Sequence, residues 1–483
     1  MRPAAALLVL AGCGGGGGAA RDGGPDAAPD GGGIPADAPG ILLRVDRGAD
    51  DAAGDGAAEQ SMPGAGGRLV AFRSLARNLV PAGSNGYQQI FWRDTCLGIA
   101  PCTPSTQQIS LSTEGVEGNE FSVEPAITPD GRYVVFSSGA NNLVPDNDRN
   151  GTDIYIRDSC HGASGCTPFT LRLSKNDAGV QANRGSLEPS VSADARYVVF
   201  RSLADNLVTG DRNGTWDVFL KDDCIGAPAG CVLSVQRVSL ADDGSEANGL
   251  STHARLSASG RHVAFRSAAS NLVPGDNNGL SDVFVRDTCL GAVACSPSTA
   301  RVSVASDGSE PVDPSASDGD APAISADGRY LAFTSPAANL VAGDDNGRSD
   351  VFLRDTCAGA APGCTPSTTR VSLAAGGGEL GAPASEPSID AGGRIVAFRV
   401  HGAGTAASPD GIFVRDTCTG APPGCVPRTV RVSSPRGGPV VEASCGAPAL
   451  SPDGHTVTFH SAAPGLPGAA AGRSAIYLAL TSF

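Results

Sequence analysis

A six-residue pattern recurs seven times along this chain of 483 residues. Its template is Gly-Arg-Tyr-Leu-Ala-Phe at 328–333, and every copy ends in phenylalanine. The other copies lie at 67–72, 131–136, 195–200, 260–265, 393–398 and 454–459. Successive phenylalanines stand 64, 64, 65, 68, 65 and 61 residues apart. A period of about 64 residues is long for a solenoid repeat but suits a four-stranded propeller blade with long loops.

Each unit contains four short β-prone runs that are separated by clusters of Gly, Pro, Asn and Asp. In the unit that begins at residue 322, the runs are 322–325, 330–333, 350–355 and 369–373, and we call the corresponding strands of every unit A, B, C and D. Gly (65) and Pro (35) make up about a fifth of the chain, which is typical of many short strands joined by turns. The pattern predicts an antiparallel meander in each unit.

The two ends of the chain complement each other. The seventh unit supplies strands A, B (456–459) and C (475–479) and then stops without a strand D. The missing strand resembles 41–46, Ile-Leu-Leu-Arg-Val-Asp. A ring that pairs this N-terminal strand into the last blade has no open sheet edges, whereas the alternative, an open β-solenoid, would not need complementary ends. The sequence therefore predicts an all-β, seven-bladed β-propeller over 41–483, with four antiparallel strands per blade and the last blade closed by the N-terminal strand.

Two motifs of the unit resemble a known family. Ser-Ala/Pro-Asp-Gly-Arg-Tyr-x-x-Phe and Asp-Val-Phe-Val-Arg-Asp are similar to the WD40-like repeats of TolB-type propellers, and 451–454 (Ser-Pro-Asp-Gly) is the nearest copy. The resemblance covers residues 41–483. It implies a periplasmic or surface propeller that often serves as a protein-interaction module. The units of this chain are longer than those of the family and carry paired cysteines.

The N-terminus predicts export and a lipid anchor. Met1-Arg2-Pro3 precedes an apolar run at 4–11, which is too short to span a bilayer and indicates a signal peptide at 1–12. The sequence Leu-Ala-Gly-Cys that ends at Cys13 resembles the lipobox of bacterial lipoproteins, which implies that Cys13 is acylated and becomes the mature N-terminus. An ordinary signal peptide with an incidental cysteine is the alternative. The Gly, Ala, Asp and Pro of 13–40 predict a disordered tether with a span of roughly 30 Å for about 27 residues.

Twelve of the fourteen cysteines form six close pairs, each in the hairpin between strands C and D. The pairs are Cys96/Cys102, Cys160/Cys166, Cys224/Cys231, Cys289/Cys295, Cys357/Cys364 and Cys418/Cys425. A zinc knuckle would need four ligands that converge on one ion, and six separated pairs do not provide them. Together with an export signal, this pattern favours disulfides. The remaining residue of the repeat region, Cys445, is expected to be a buried thiol.

The alternation of strands predicts A–B turns and C–D hairpins at one end of the ring and B–C and D–A loops at the other. Three B–C loops carry Asp-x-Asn-Gly followed by a second Asp, and a shortened copy lies at 148–153. The candidate oxygen ligands are Asp211, Asn213, Asp217, Asp276, Asn278, Asp282, Asp344, Asn346 and Asp350. Such oxygens suit calcium, but Asn-Gly with a preceding Asp is also a common turn. We prefer the turn and assign no cofactor, and calcium is kept as a candidate.

The D–A loops repeat a Gly-x-Glu/Gln-x-Asn pattern in part. The residues are Gly115, Glu117 and Asn119, then Gly179, Gln181 and Asn183, then Gly244, Glu246 and Asn248. They either face a ligand or form solvated turns, and we prefer turns.

The sequence offers no catalytic assignment. It contains no Gly-x-Ser-x-Gly and no His-Glu-x-x-His, and its six histidines share no position in the repeat. The net charge of −15 without a basic cluster argues against nucleic acid. We expect a monomeric, non-enzymatic binding or scaffold propeller of the bacterial cell envelope, facing the periplasm or the cell surface, which touches the membrane through its lipid and binds an envelope protein through the acidic B–C/D–A loop face. The alternative is a carbohydrate-active or carbohydrate-binding propeller that uses acids of that face or of the central channel.

Overall fold

The computed structural model describes residues 40–146, 151–312, 320–402, 410–434, 445–469, 472–481 and 483. The predicted signal peptide, Cys13 and the tether as far as residue 39 lie outside the described residues. Gly40, which the sequence assigned to the tether, is already the first residue of a strand. The described residues belong to one compact unit, Ala38–Phe483. None of the helices in the described ranges is long and apolar enough to cross a membrane.

The described residues form seven four-stranded antiparallel sheets, which are the blades. The chain begins with β1 (Gly40–Arg44), and blade 1 follows with β2 (Ala58–Pro63), a 3-10 turn (Ala65–Gly67), β3 (Leu69–Ser74), β4 (Gln89–Asp94) and β5 (Ser105–Gln108). Blade 2 is β6 (Ser122–Ile127), β7 (Tyr133–Ser138), β8 (Asp153–Asp158) and β9 (Phe169–Arg172). Blade 3 is β10 (Ser186–Val191), β11 (Tyr197–Ser202), β12 (Asp217–Asp222) and β13 (Ser234–Arg237). Blade 4 is β14 (Ser251–Leu256), β15 (His262–Ser267), β16 (Asp282–Asp287) and β17 (Ser298–Arg301).

The remaining blades continue the same order. Blade 5 is β18 (Ala323–Ile324), β19 (Tyr330–Ser335), β20 (Asp350–Asp355) and β21 (Ser367–Arg370). Blade 6 is β22 (Ala384–Ile389), β23 (Ile395–Val400), β24 (Gly411–Asp416) and β25 (Arg428–Arg431). Blade 7 is β26 (Cys445–Leu450), β27 (Thr456–Ser461) and β28 (Ala475–Leu480), and β1 is its fourth strand. The predicted strands A to D are therefore confirmed in every blade.

The ring closes in blade 7 as predicted. Strand β1 pairs antiparallel with β28, and Gly40 lies opposite Leu480. A buried ion pair reinforces the closure, because the guanidinium of Arg44 lies 2.6 Å from the carboxylate of Asp46. Asp46 also accepts a hydrogen bond from the backbone N–H of Ile476 in β28. The two chain ends thus cover each other's sheet edges.

The phenylalanines of the repeat form the cores of the blades. In blade 3, Phe200 of β11 lies directly opposite Phe219 of β12, and both rings are fully buried. The equivalent pairs are Phe72–Phe91, Phe136–Tyr155, Phe265–Phe284, Phe333–Phe352, Phe398–Phe413 and Phe459–Tyr477. Their ring centroids are 5.7–6.2 Å apart, which is the offset packing that aromatic pairs prefer.

The loops sort onto two faces as predicted. The A–B turn of blade 4 lies beside its C–D hairpin, because Arg261 in the turn pairs with Asp287 at the end of strand C. We call this end, formed by the A–B turns and C–D hairpins, the staple face. The D–A and B–C loops meet at the opposite end, where the backbone N–H of Asn183 donates to Oδ1 of Asn206. We call that end the loop face.

Candidate functional site

The cysteines of the staple face are joined in six disulfides, so the disulfide interpretation is confirmed and the metal knuckle is not needed. The bonds are Cys96–Cys102, Cys160–Cys166, Cys224–Cys231, Cys289–Cys295, Cys357–Cys364 and Cys418–Cys425, with Cα atoms 5.6–5.8 Å apart. Each pair follows an Asp that ends strand C, and its two sulfurs are bonded to each other rather than available to an ion. Cys445 is a free, buried thiol as predicted, and burial raises its pKa.

The second cysteine of a hairpin also makes a contact that the sequence analysis did not predict. In blade 6, Cys425 is bonded to Cys418, and its Sγ lies 3.7 Å from a guanidinium nitrogen of Arg394 in the A–B turn. The disulfide predicted for Cys425 is therefore confirmed, and this cysteine also packs against the arginine of its blade. The equivalent sulfurs, each 3.6 Å from the corresponding arginine, are those of Cys166, Cys231, Cys295 and Cys364.

The same arginine of the A–B turn holds each stapled hairpin in place. Arg261 binds both carboxylate oxygens of Asp287, at 2.8 and 2.6 Å, and Asp287 accepts the backbone N–H of Cys289. The hydrogen bonds from Arg261 hold the pKa of Asp287 below its ordinary value. The equivalent pairs are Arg68–Asp94, Arg132–Asp158, Arg196–Asp222, Arg329–Asp355 and Arg394–Asp416. These side chains pair with each other and form the framework of the hairpins.

On the loop face, the calcium candidates of each B–C loop do come together, but around an arginine from strand D. In blade 4, one guanidinium nitrogen of Arg301 lies 3.2 Å from Asp276, 3.4 Å from Asp282 and 2.6 Å from Glu310. The amide of Asn278 donates to Asp282 at 2.9 Å. The equivalent clusters are Arg237 with Asp211, Asn213, Asp217 and Glu246, and Arg370 with Asp344, Asn346, Asp350 and Glu379. We call these three groups the arginine clusters.

Each arginine cluster holds more negative than positive charge in a buried setting. Burial is the main reason that the pKa of Asp211, Asp276 and Asp344 is raised to about 6. Neighbouring carboxylates raise it further, and the arginine opposes them. Carboxylate and amide oxygens could hold a hard cation here, but the guanidinium already occupies the space between them. The shortened motif at 148–153 lies partly outside the described residues, and its Asp153 is 3.7 Å from Arg172.

The polar residues of the D–A loops serve the same framework, which supports the turn interpretation. Glu117 accepts a hydrogen bond from the hydroxyl of Ser84 in the B–C loop of its own blade, at 2.9 Å. Asn119 bonds in the other direction, since its backbone N–H donates to Oδ1 of Asn142 in the next blade. The equivalent contacts are Gln181–Asp153, Glu246–Arg212, Asn183–Asn206 and Asn248–Asn271. The repeated acids and amides of the loop face therefore tie loops and blades together, and the predicted acidic binding surface is largely engaged in internal contacts.

The central channel contains a ring of polar residues that the sequence analysis did not single out. The third residue of strand A has a left-handed backbone, at φ 57° in Glu124, 58° in Glu188 and 55° in His253, where a bulge shifts the register. The two glutamates each accept the backbone N–H of their counterpart in the next blade: Glu188 N–H donates to Glu124 at 2.7 Å, and His253 N–H donates to Glu188 at 2.8 Å. Gln60, Asp320 and Glu386 make equivalent contacts with the following blades. The recurrence of Glu-Pro at 124, 188 and 386 is the signal that could have revealed this ring.

Strand B supplies arginines that balance these acids. Arg201 lies 3.0 Å from Glu188, and Arg399 lies 3.2 Å from Glu386. The channel acids are Glu59, Glu124, Glu188, Asp320 and Glu386, and the channel arginines are Arg73, Arg201, Arg255, Arg266 and Arg399. Burial and the charge of Glu188 raise the pKa of Glu124, whereas burial lowers the pKa of His253. In the part of the channel that the structure describes, acids and arginines thus occur together and make the lining polar.

The mouth of the channel on the loop face presents aromatic side chains. Tyr87 is 51% exposed and Phe121 is 37% exposed. A hydrogen bond of 2.7 Å from Ser122 N–H to Gln88 O joins the residues next to them, so both rings lie at the junction of blades 1 and 2. On blade 3, Trp216 stacks on Arg201, whose guanidinium carbon is 4.5 Å from the ring centroid. Because the repeat buries its large aromatic residues in the blade cores, the exposed Tyr87 and Phe121 stand apart from the framework.

The fold and the site define a closed seven-bladed β-propeller with disulfide-stapled blades and a polar channel that opens between aromatic side chains. No family model and no curated protein matches the chain. Its solved structural neighbours include TolB from Acinetobacter baumannii (15% identity over 74% of this chain and 63% of that chain, TM-score 0.37) and a putative TolB from Agrobacterium tumefaciens (15%, 65% and 81%, TM-score 0.34). An oligogalacturonate lyase in complex with manganese is also similar (13%, 88% and 90%, TM-score 0.46). The chain spans less than two thirds of the Acinetobacter TolB, and these likenesses concern the fold.

Proposed function

We propose that this propeller is a non-enzymatic binding module of the bacterial cell envelope, which takes a protein partner onto the channel mouth of its loop face. The exposed pair Tyr87 and Phe121 at the junction of blades 1 and 2 is the observation that carries the proposal, and Trp216 stacked on Arg201 adds an aromatic–arginine pair on the same face of blade 3. Aromatic and arginine side chains dominate the energetics of protein interfaces, because they bury a large area with few rotatable bonds. A partner anchored on Tyr87 and Phe121 would contact blades 1 and 2.

The partner is expected to contact the aromatic residues of the loop face, and not the acids of its B–C and D–A loops. The repeated acids of the B–C and D–A loops are paired with arginines or bonded to neighbouring loops. A partner that bound through these acids would have to break those contacts first. The envelope location rests on the lipobox resemblance at Cys13 and on six disulfides, which suit an oxidising compartment.

A second candidate is carbohydrate binding or cleavage in the channel. One observation favours it: Glu124, whose raised pKa favours the protonated acid, lies beside Glu188, which is paired with Arg201. Two neighbouring carboxyl groups, one of which is kept protonated by burial, are the arrangement that glycoside chemistry uses. Against it, both carboxylates already accept backbone N–H groups that hold adjacent blades together. We therefore rank it second.

The test is capture of envelope components by the purified, oxidised protein. The bait should carry a photo-crosslinking phenylalanine in place of Tyr87, and the matched control should carry it in place of Val116, an exposed residue elsewhere on the loop face. We expect a discrete protein to crosslink at position 87 and not at 116, and to be lost in the Phe121→Ala variant. Equal crosslinking at both positions would refute the proposal. Retention on envelope polysaccharide that is lost in Glu124→Gln would favour the second candidate.

A further inference from the structure

The stapled C–D hairpins of the staple face are uncharged. In a chain with 18% charged residues, no Asp, Glu, Lys or Arg lies between the paired cysteines of any blade. The six segments are 97–101, 161–165, 225–230, 290–294, 358–363 and 419–424, and His161 is their one titratable residue. The charged pairs at the base of each hairpin, such as Arg261 with Asp287, are bonded to each other. The outer part of this face is therefore made of neutral tips.

Several of these tips present large apolar side chains to solvent. Val293, inside the hairpin of blade 4, is 95% exposed, and Val232 and Val426 directly follow the second cysteine of their hairpins and are also mostly exposed. Ile99 and Leu233 add two more on blades 1 and 3. The disulfides hold the hairpins in one conformation. Contact with another surface would therefore cost little conformational entropy of the chain. Exposed apolar groups that recur around one face of a ring indicate a contact surface.

The chain enters the ring on this same face. Gly40 begins β1 and lies opposite Leu480, which ends β28 at the level where the other blades have their stapled hairpins. Every residue before Gly40, including Cys13, therefore joins the ring at the staple face. An acyl chain on Cys13 would therefore hold the ring by this face, through a tether with a span of roughly 30 Å for about 27 residues.

The charges of the staple face indicate which lipid it would meet. Its A–B turns carry exposed acids, the arginines beside them are paired, and the exposed Arg428 at the start of β25 stacks on Phe483, so the described part of this face has no basic patch for anionic headgroups. The acids are Asp130, Asp194, Asp327 and Asp453. Apolar side chains without basic residues suit the interfacial region of a zwitterionic bilayer.

We propose that the staple face is a bilayer-contacting surface, which inserts the tips of its stapled hairpins into the headgroup region of a zwitterionic membrane. The loop face then points away from the membrane, and its aromatic mouth is open to a partner. The orientation goes beyond the proposed function, because a partner could bind the loop face of a ring held at any angle.

The experiment places a tryptophan on each face of the whole protein at a membrane. The oxidised chain is coupled through the Cys13 thiol to a maleimide phospholipid in phosphatidylcholine vesicles, so that natural acylation is not required. Val293→Trp reports on the staple face, and Val116→Trp is the matched control on the loop face. Phosphatidylcholine brominated near the carbonyl end of its acyl chains serves as the quencher, and the parent protein supplies the background from Trp92 and Trp216.

We expect the emission added by Val293→Trp to shift to shorter wavelength and to be quenched about twofold more than that of Val116→Trp. Adding Val232→Asp and Val426→Asp should abolish the difference while the melting temperature stays unchanged, because both positions are exposed. Equal quenching at positions 293 and 116, or none at either, would overturn the proposal. Crosslinking at position 87 is measured in solution and does not depend on this result, so the proposed function would be unaffected.

Discussion

The two faces of the ring are built by the same four-stranded repeat, yet they are held together in different ways. On the staple face, each arginine meets one carboxylate and keeps contact with water, and in blade 4 the carboxylate of Asp287 does so as well. On the loop face, Arg301 is buried with two buried acids and the partly exposed Glu310. The staple face also has a covalent bond in each of six blades, and the loop face has none in its described loops.

The staple face and the loop face therefore depend on different stabilising interactions. An ion pair in contact with water contributes little to the free energy of unfolding, because solvent screens it. The disulfide is therefore expected to be the main stabilising interaction of the hairpin. Buried carboxylates cannot stay charged without a partner, so the B–C loops depend on their arginine. One end of the ring is therefore closed covalently and the other electrostatically.

The largest effect is expected when the arginine of an arginine cluster is removed. Arg301→Gln leaves the acids of blade 4 without their cation, and we expect a loss of about 3–5 kcal/mol in the free energy of unfolding. Arg261→Gln, the matched change on the staple face, should cost about 1 kcal/mol because its single acid is partly hydrated. Urea unfolding of both variants measures the difference. Equal losses would mean that the two faces are stabilised alike.

Removal of one disulfide should have the next largest effect and should stay local. The Cys289→Ser/Cys295→Ser variant opens a loop of seven residues, and the chain-entropy relation gives a loss of about 2–2.5 kcal/mol. Hydrogen exchange should increase in the hairpin at 289–301 and stay unchanged in the B–C loop at 276–282. Faster exchange in both segments would show that the two ends of a blade are coupled, and that the two faces are not stabilised independently.

Much of the fold was predictable from sequence because each blade repeats the same local signals. The spacing of residues such as Phe200 fixed the period, and the strand at 41–46 indicated the closure that β1 provides. Only part of each arginine cluster could be predicted from the sequence. The motif around Asp282 showed oxygen ligands, but the charge they surround comes from Arg301, which is 19 residues further along and reads as an ordinary strand residue. The arginine is brought to the acids by contacts between strands of the blade, and a motif within one loop carries no information on those contacts.

The channel ring was missed for a related reason. Glu188 lies in the middle of a strand and bonds to the backbone of His253, 65 residues away. Neither hydrophobic alternation nor turn chemistry indicates such a contact, because it follows from the inward position of strand A and from the bulge that turns the side chain towards the next blade. The exposed Tyr87 and Phe121 were likewise not distinguishable from core aromatic residues before the blades were placed.

A smaller effect is expected from one departure within the staple face. In blade 4 the hydroxyl of Thr288 donates to the carbonyl of Arg261 at 2.7 Å, but Asp223 takes this position in blade 3. One carboxylate oxygen of Asp223 has no partner among the described residues, and burial raises its pKa to about 7. Since the folded pKa is raised, the stability linked to this proton is complete below about pH 4 and is lost as the pH rises through about 7.

Asp223→Thr should therefore raise the free energy of unfolding by about 1 kcal/mol at pH 8 and by less at pH 5. Urea midpoints at the two pH values measure it. The reverse change, Thr288→Asp, should destabilise blade 4 more at pH 8 than at pH 5. A stabilisation by Asp223→Thr that is equal at both pH values would show that the carboxylate is already hydrated and that packing accounts for the gain.

The smallest effect is expected from calcium, and it separates a cation site from an arginine cluster. Arg301 already lies between the oxygens of Asp276, Asp282 and Glu310, so we expect millimolar calcium or a chelator to change the melting temperature of the wild-type protein by less than about 1 °C. In Arg301→Gln the same oxygens lose their cation and become the ligand set that calcium prefers, so calcium should raise the melting temperature of that variant. A rise in the wild-type protein that disappears in Asp276→Asn would instead show that calcium binds beside the arginine, and the loop face would then be closed by a metal ion as well as by ion pairs.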